Sequence, residues 1–231
     1  MINVQELFGN ISGTYDLLNR VLSFGNDQRW RKKGVALLPH GKEARILDLA
    51  CGTLDMTLQY LNQGDGEVFS VDFAFPMLLT GRAKISPTLD SRTHLVCGDG
   101  AKLPFPDQFF DGAMCAWGVR NFSKPQPSLQ EIRRVLKPGG TLLILEFFRP
   151  EKMVTKIFSK TYGRYVMPTV GQWISKDKQA YDYLNKSIEG FLSLKEYTDL
   201  LEQTGFHVAK AKDLTAGISS LILASANGTT N

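Results

Sequence analysis

This chain is poor in the features that mark metal-held, disulfide-held or membrane-spanning folds. Its 231 residues include three cysteines and three histidines. Cys51, Cys97 and Cys115 have neither CxxC spacing nor a His neighbour, which argues against a zinc site or a disulfide framework. Each lies in or beside an apolar run and is expected to be a small buried residue of a reducing compartment. No apolar run approaches the roughly 18 residues needed to span a bilayer. The opening MINVQELFGN lacks the basic-then-apolar layout of a signal peptide, so a cytoplasmic location is expected. Charge of one sign is also scarce. The net charge of +4 is spread along the chain, too thinly for nucleic-acid binding but compatible with docking on an anionic membrane face.

What is present is the composition of an ordinary globular protein, 43% hydrophobic and 22% charged, long enough to bury a core unaided. A single domain over 1–231 is expected, in four parts. Residues 1–40 read as N-terminal helices, from the near-helical apolar spacing of LFGNISGTYDLLNRVLSF and DQRWRKKGVALL. Residues 41–148 alternate apolar strand-like runs (ARILDLA, GEVFSVD, THLVCGD, FDGAMCAW, TLLILEFF) with helical segments. The last of those helices, in SLQEIRRVLKPGG, is expected to stop at Pro138 and the two glycines. Residues 150–190 are rich in aromatics and Met and read as a helical insertion, and 191–226 as a helix and two closing strands. The alternation implies an α/β, doubly wound, Rossmann-like sheet covered on both faces.

In such a sheet the ligand lies outside the carboxyl ends of the strands, where the strand order reverses. That rule selects Asp48 to Asp55, Asp72, Asp99 with Gly100, and Trp117 to Asn121. Asp72, ending the second strand, suits a pair of ribose hydroxyls; Asp99, ending the third, suits the exocyclic amine of a purine. The first turn, DLACGTLDM, contains Gly52 alone, and no Gly-x-Gly-x-x-Gly or Walker A sequence occurs. A ligand with ribose and base but no phosphate fits better, and S-adenosylmethionine is one. The alternative is that these acids cap the helices that follow them.

Taken together, YDLLNRVLSFGNDQRWR, DLACGT, GDGAKLPFPDQFFD, WGVRN, EIRRVLKPGGTLLILEF, AYDYLNKSI and LTAGI resemble the ubiquinone/menaquinone biosynthesis C-methyltransferases over nearly the whole chain. The resemblance implies a class I methyltransferase fold with S-adenosylmethionine as cofactor. It implies cofactor contacts at Gly52, Thr53, Asp72, Asp99, Gly100 and Trp117, with Asp72 on the ribose and the Asp99–Gly100 pair on the adenine edge. Three places depart from the pattern, among them FAF at 73 to 75, where a more polar run is usual. Leu54 stands where a glycine is usual, and its side chain is expected to occupy space beside the cofactor. Trp117 stands where many relatives carry a small polar residue.

The reaction the resemblance implies is methylation of a ring carbon of a polyprenylated quinol, demethylmenaquinol ahead of a benzoquinol. Arg120, Asn121 and Tyr15 are the candidates beside the ring: Arg120 to stabilise a phenolate, Asn121 and Tyr15 to hydrogen-bond the ring oxygens. Tyr15 could instead pack the first helices, and Arg120 could pair with Asp16. Tyr181 and Tyr183 are candidates to line the ring pocket. His40, His94 and His207 are isolated from these motifs, and no cluster has metal-ligand spacing. Other readings are a methyltransferase on another small acceptor, or a diverged assembly partner without catalysis. The insertion would suit an isoprenoid tail and peripheral contact with the inner membrane; a homodimer through it is a further alternative.

Overall fold

The computed structural model describes residues 4–151 and 178–227. Three helices come first, α1 (Val4–Ile11), α2 (Tyr15–Leu22) and α3 (Asn26–Val35). The alternating core follows: β1 (Arg45–Leu49), α4 (Asp55–Leu61), β2 (Glu67–Asp72), α5 (Phe75–Arg82), α6 (Pro87–Asp90), β3 (Thr93–Cys97), β4 (Phe110–Ala116), α7 (Pro125–Val135) and β5 (Leu136–Glu146). The described chain resumes with α8 (Lys178–Glu189), α9 (Leu194–Gln203), β6 (Phe206–Leu214) and β7 (Ser219–Ala226). Most of the expected 150–190 insertion, and any dimer contact through it, lies outside the described residues.

The strands form one seven-stranded sheet in the order β3-β2-β1-β4-β5-β7-β6. The first five run parallel, while β7 pairs antiparallel with both β5 and β6. Alternation along β1 shows why both faces are covered. Leu47 and Leu49 join a core under α7 and α9, with Leu129, Ile132, Tyr197 and Leu201. Ile46 joins the opposite layer with Trp30 and Val35 of α3 and Met56 and Tyr60 of α4. Strands buried on both faces read as continuous apolar runs, which is how they appear in the sequence.

Local chemistry sets the helix ends. Pro occupies the first turn of α5, α6 and α7, where its missing N–H costs no intrahelical bond. Ser193 and Glu196 form a reciprocal capping box at the start of α9. One expectation needs correcting. α7 ends at Val135, ahead of Pro138, and the chain passes directly into β5. The β4 register jumps from Phe110↔Leu136 to Gly112↔Thr141, so residues 137–140 bulge from the strand, with Gly139 at φ +75°. Cys51 and Cys115 are buried as expected; Cys97 is exposed, because it ends β3 at the rim of the sheet.

Candidate active site

The chain leaves β1 for β2 on one side and reaches β4 on the other, so the sheet has its switch point at the carboxyl ends of β1 and β4. The backbone there is tightly turned. Ala50 (φ +52°), Leu54 (φ +69°) and Trp117 (φ +55°) all adopt the left-handed conformation although none is glycine. The two turns touch: a Cβ on Gly118 would come within 2.5 Å of the Ala50 Cβ.

A cavity of about 490 Å³ opens at this point, within the roughly 300–1,000 Å³ of small-molecule sites. Gly52, Asp72, Asp99, Gly100 and Trp117, expected as cofactor contacts, line it together with Tyr15 and Asn121, expected beside the acceptor ring. Asp72 is 6% exposed. Its Oδ2 accepts the Gly52 N–H and its Oδ1 the Ala74 N–H, both at 2.8 Å. Burial raises the carboxyl above its ordinary range, opposed by these backbone donors. Each oxygen keeps a further lone pair, so the buried acid can still accept from a diol. Asp99 is exposed at the rim, its Oδ1 accepting the Ala101 N–H at 2.9 Å.

Charge decides what the cavity can take. Among the described residues its lining holds two carboxylates and no Lys, Arg or His. A pyrophosphate would be repelled, whereas a nucleoside bearing an ammonium or sulfonium is electrostatically welcome. The residues present therefore fit S-adenosylmethionine.

Thr53 and Arg120 do not line this cavity. Thr53 is buried, and its hydroxyl donates to Asp16 Oδ1 on α2. Lys84 Nζ lies 2.8 Å from both Asp16 and Asp55, tying α2 to the start of α4. Leu54 does not intrude either. It is fully buried in a cluster with Cys51 and Leu78, turned towards α5 and away from the cavity.

Arg120 belongs to a smaller chamber of about 60 Å³, lined also by Leu7, Ile11, Leu18, Asn19, Phe147 and Leu184. Phe8, Tyr15 and Trp117 line both spaces and form the wall between them. Arg120 pairs with Glu146 rather than Asp16: Nη1 lies 2.5 Å from Oε1, with the two side chains 5% and 0% exposed. Nη1 also donates to the Trp117 carbonyl at 2.9 Å, and Nε to Ser187 Oγ at 3.2 Å. Burial pushes the Glu146 carboxyl up, opposed by Arg120. Burial also raises the Tyr15 phenol, so it stays protonated at neutral pH.

The Trp117 indole N–H is directed at β7 and not at the cavity. The indole stacks on Phe147 at 5.6 Å, lies under the Arg31 guanidinium at 4.5 Å, and donates to Ser219 Oγ at 3.4 Å. Tyr183 lines the chamber; the Tyr181 side chain lies outside the described residues. No histidine lines either space. Among the described residues no group of three or more His, Cys, Asp or Glu could hold a metal ion.

Some site residues escape sequence reasoning. Gln5 and Phe8 of α1 roof the cavity, and Gln5 Nε2 donates to the Phe73 carbonyl at 2.7 Å. Nothing local marks them. Glu146 had a signal, since it is the acid that ends β5, as Asp72 ends β2.

The model described as the ubiE/COQ5 methyltransferase family matches residues 2–225. The ubiquinone/menaquinone biosynthesis C-methyltransferase UbiE of Syntrophotalea carbinolica is 40% identical over 95% of this chain and 92% of its own length. The demethylmenaquinone methyltransferase of Thermus thermophilus is 39% identical over 93% and 97%. Among solved structures, SAM-dependent methyltransferases of Thermotoga maritima and Aquifex aeolicus share the fold. The first has a TM-score of 0.65 at 19% identity, covering 95% of this chain and 98% of the other. The second has a TM-score of 0.58 at 18% identity, covering 80% and 83%.

Proposed function

The chain belongs to the ubiE/COQ5 methyltransferase family, and from that premise we propose that it methylates a ring carbon of a polyprenylated quinol, using S-adenosylmethionine. The acceptor that fits first is demethylmenaquinol, since relatives at 39% and 36% identity are named demethylmenaquinone methyltransferases. The observation that carries the reading is the cavity at the switch point, acid-lined and free of basic side chains among the described residues, with Asp72 buried at its edge.

In this reading Asp72 holds the ribose diol, and Asp99 with Gly100 reads the adenine edge. When bound, the sulfonium supplies an electrophilic methyl group. The residues of the chamber act on the ring. Tyr15 and the Arg120 guanidinium in the chamber, and Asn121 on the cofactor-cavity side of its wall, are hydrogen-bond donors; among the described residues the ionisable groups lining the chamber, Tyr15, Arg120 and Tyr183, include no base at neutral pH. They therefore favour the ionised form of the ring hydroxyl, whose proton leaves to water, and ionisation enriches the adjacent carbon. Phe8 and Trp117 keep water from the reacting faces. At about 60 Å³ the chamber admits a ring only when α1, α2 and α8 part.

The test is calorimetric titration with S-adenosylmethionine and S-adenosylhomocysteine, followed by assay with a short-chain demethylmenaquinol. Micromolar binding, lost in Asp72→Ala, and methylation of the naphthoquinol are expected. Absence of binding to the wild-type chain would sink the reading. Peripheral membrane contact is part of the proposal. No described helix is long and apolar enough to cross a membrane, yet Leu17 on α2 and Phe75 and Leu79 on α5 are each more than half exposed. Co-sedimentation with anionic liposomes at low salt is expected, and a protein left wholly in the supernatant would reject it.

A further inference from the structure

Helix α8 carries Tyr183 and Ser187 four residues apart, hence on one face. Opposite that face is the single turn Val119–Asn121, which follows β4 and presents Arg120 and Asn121. The Tyr183 hydroxyl donates to Asn121 Oδ1 at 2.9 Å. Ser187 Oγ accepts from Arg120 Nε at 3.2 Å. The direction of the second bond follows from a third: the Ser187 hydroxyl proton is already given to the Leu184 carbonyl at 2.8 Å, leaving Oγ as an acceptor. Both ring-side candidates are thus held by one helix more than sixty residues away in sequence.

We propose that Tyr183 and Ser187 are positioning residues, with α8 fixing the Asn121 amide and the Arg120 guanidinium as donors towards the acceptor ring's oxygen. The proposal rests on the quinol-methylation reading and adds residues to it. With Oδ1 held on the Tyr183 hydroxyl, the amide is oriented so that its N–H groups point the other way. Its other hydrogen bond among the described residues is a long 3.5 Å approach of Nδ2 to the Trp117 carbonyl. Without the Tyr183 hydroxyl the amide is free to turn, and Oδ1 would then meet the oxygen it should stabilise. Burial raises the Tyr183 phenol, which keeps it a donor. Tyr183 also packs edge-to-face on Phe8, with centroids 6.4 Å apart at 90°, so Tyr183→Phe keeps the ring contact while removing the hydroxyl.

The experiment is a double-mutant cycle in the full chain with Tyr183→Phe, Asn121→Ala and their combination, repeated with Ser187→Ala and Arg120→Lys. S-adenosylhomocysteine affinity is followed by calorimetry, and kcat and KM with a short-chain demethylmenaquinol. Tyr183→Phe is expected to lower kcat about tenfold, the worth of one oriented hydrogen bond, with cofactor affinity within about twofold of wild type. In the Asn121→Ala background it should then cost nothing further. Losses that multiply, or a silent Tyr183→Phe, would overturn the proposal. A second readout does not need turnover. The side-chain amide resonance of Asn121 should be sharp in the wild type and shifted or broadened in Tyr183→Phe; an unmoved resonance overturns the clamp. If the wild-type chain methylates no quinol, the function reading fails while this resonance still decides whether Tyr183 sets the amide.

Discussion

The side chain of Leu54 lies in the notch that Gly81 leaves on α5: a Cβ built on Gly81 would come within 2.5 Å of Leu54 Cγ. Leu54 is therefore a packing residue that accepts an unfavourable left-handed backbone, and it leaves the cofactor cavity clear. Leu54→Gly should relieve about 1 kcal/mol of backbone strain but forfeit about 2–5 kcal/mol of buried packing. A net loss of stability in denaturant unfolding is expected, with unchanged affinity for S-adenosylhomocysteine. A tenfold gain in affinity would show that the leucine obstructs the cofactor after all. Gly81→Ala should destabilise the wild type, and do so less beside Leu54→Gly, where the 3.0 Å approach to the Thr53 backbone carbon remains.

The Arg120–Glu146 pair sets a second prediction. Both side chains are almost wholly buried, so Arg120→Ala strands a carboxylate in the core. It should cost about 3–5 kcal/mol, read as a lower Tm. Arg120→Met combined with Glu146→Gln should recover most of that stability while remaining inactive. If the double variant melts as low as the single one, the stranded charge is not the cause.

Thr53 separates two accounts of one residue. Its hydroxyl is committed to Asp16 on α2, next to Tyr15, rather than to the cavity. Thr53→Val should loosen the seating of α2 and raise the quinol KM several-fold, with cofactor affinity little changed. A selective loss of S-adenosylhomocysteine binding would restore Thr53 to the direct cofactor role that the family resemblance implies.

Asp48 gives the pH dependence. It is 1% exposed, and burial raises its carboxyl to about 7, opposed chiefly by the Thr57 hydroxyl at 2.6 Å. The folded chain holds this proton more tightly than the unfolded chain does. Its stabilising contribution is therefore complete below the ordinary carboxyl range and lost as pH rises from about 4 towards 7. Asp48→Asn cannot titrate. Its Tm relative to wild type should climb as the pH is taken from 4 to 8, and a pH-independent difference between the two would reject the assignment.

Read from the sequence alone, this chain declares what depends on neighbours along the chain. The apolar runs of β1 and β2, the helical spacing between them, and the acids Asp72 and Asp99 at the strand ends are all local patterns. The parallel-sheet rule pointed to the carboxyl ends of the strands, where a cavity opens. The misreading at Pro138 was also local, since a proline and two glycines serve a strand bulge as well as a helix stop. Other features were decided by tertiary structure alone. The direction of Leu54 depended on Gly81, the partner of Arg120 on where β5 ends, and the roof of the cavity on how α1 seats Gln5 and Phe8. The Tyr183–Asn121 bond needed α8 to pack against the Val119–Asn121 turn. The physical reason is that these pairings join residues far apart in sequence. Which of several plausible partners a buried charge, a glycine notch or an amide finds is set by close packing of the whole domain, and no local pattern encodes it.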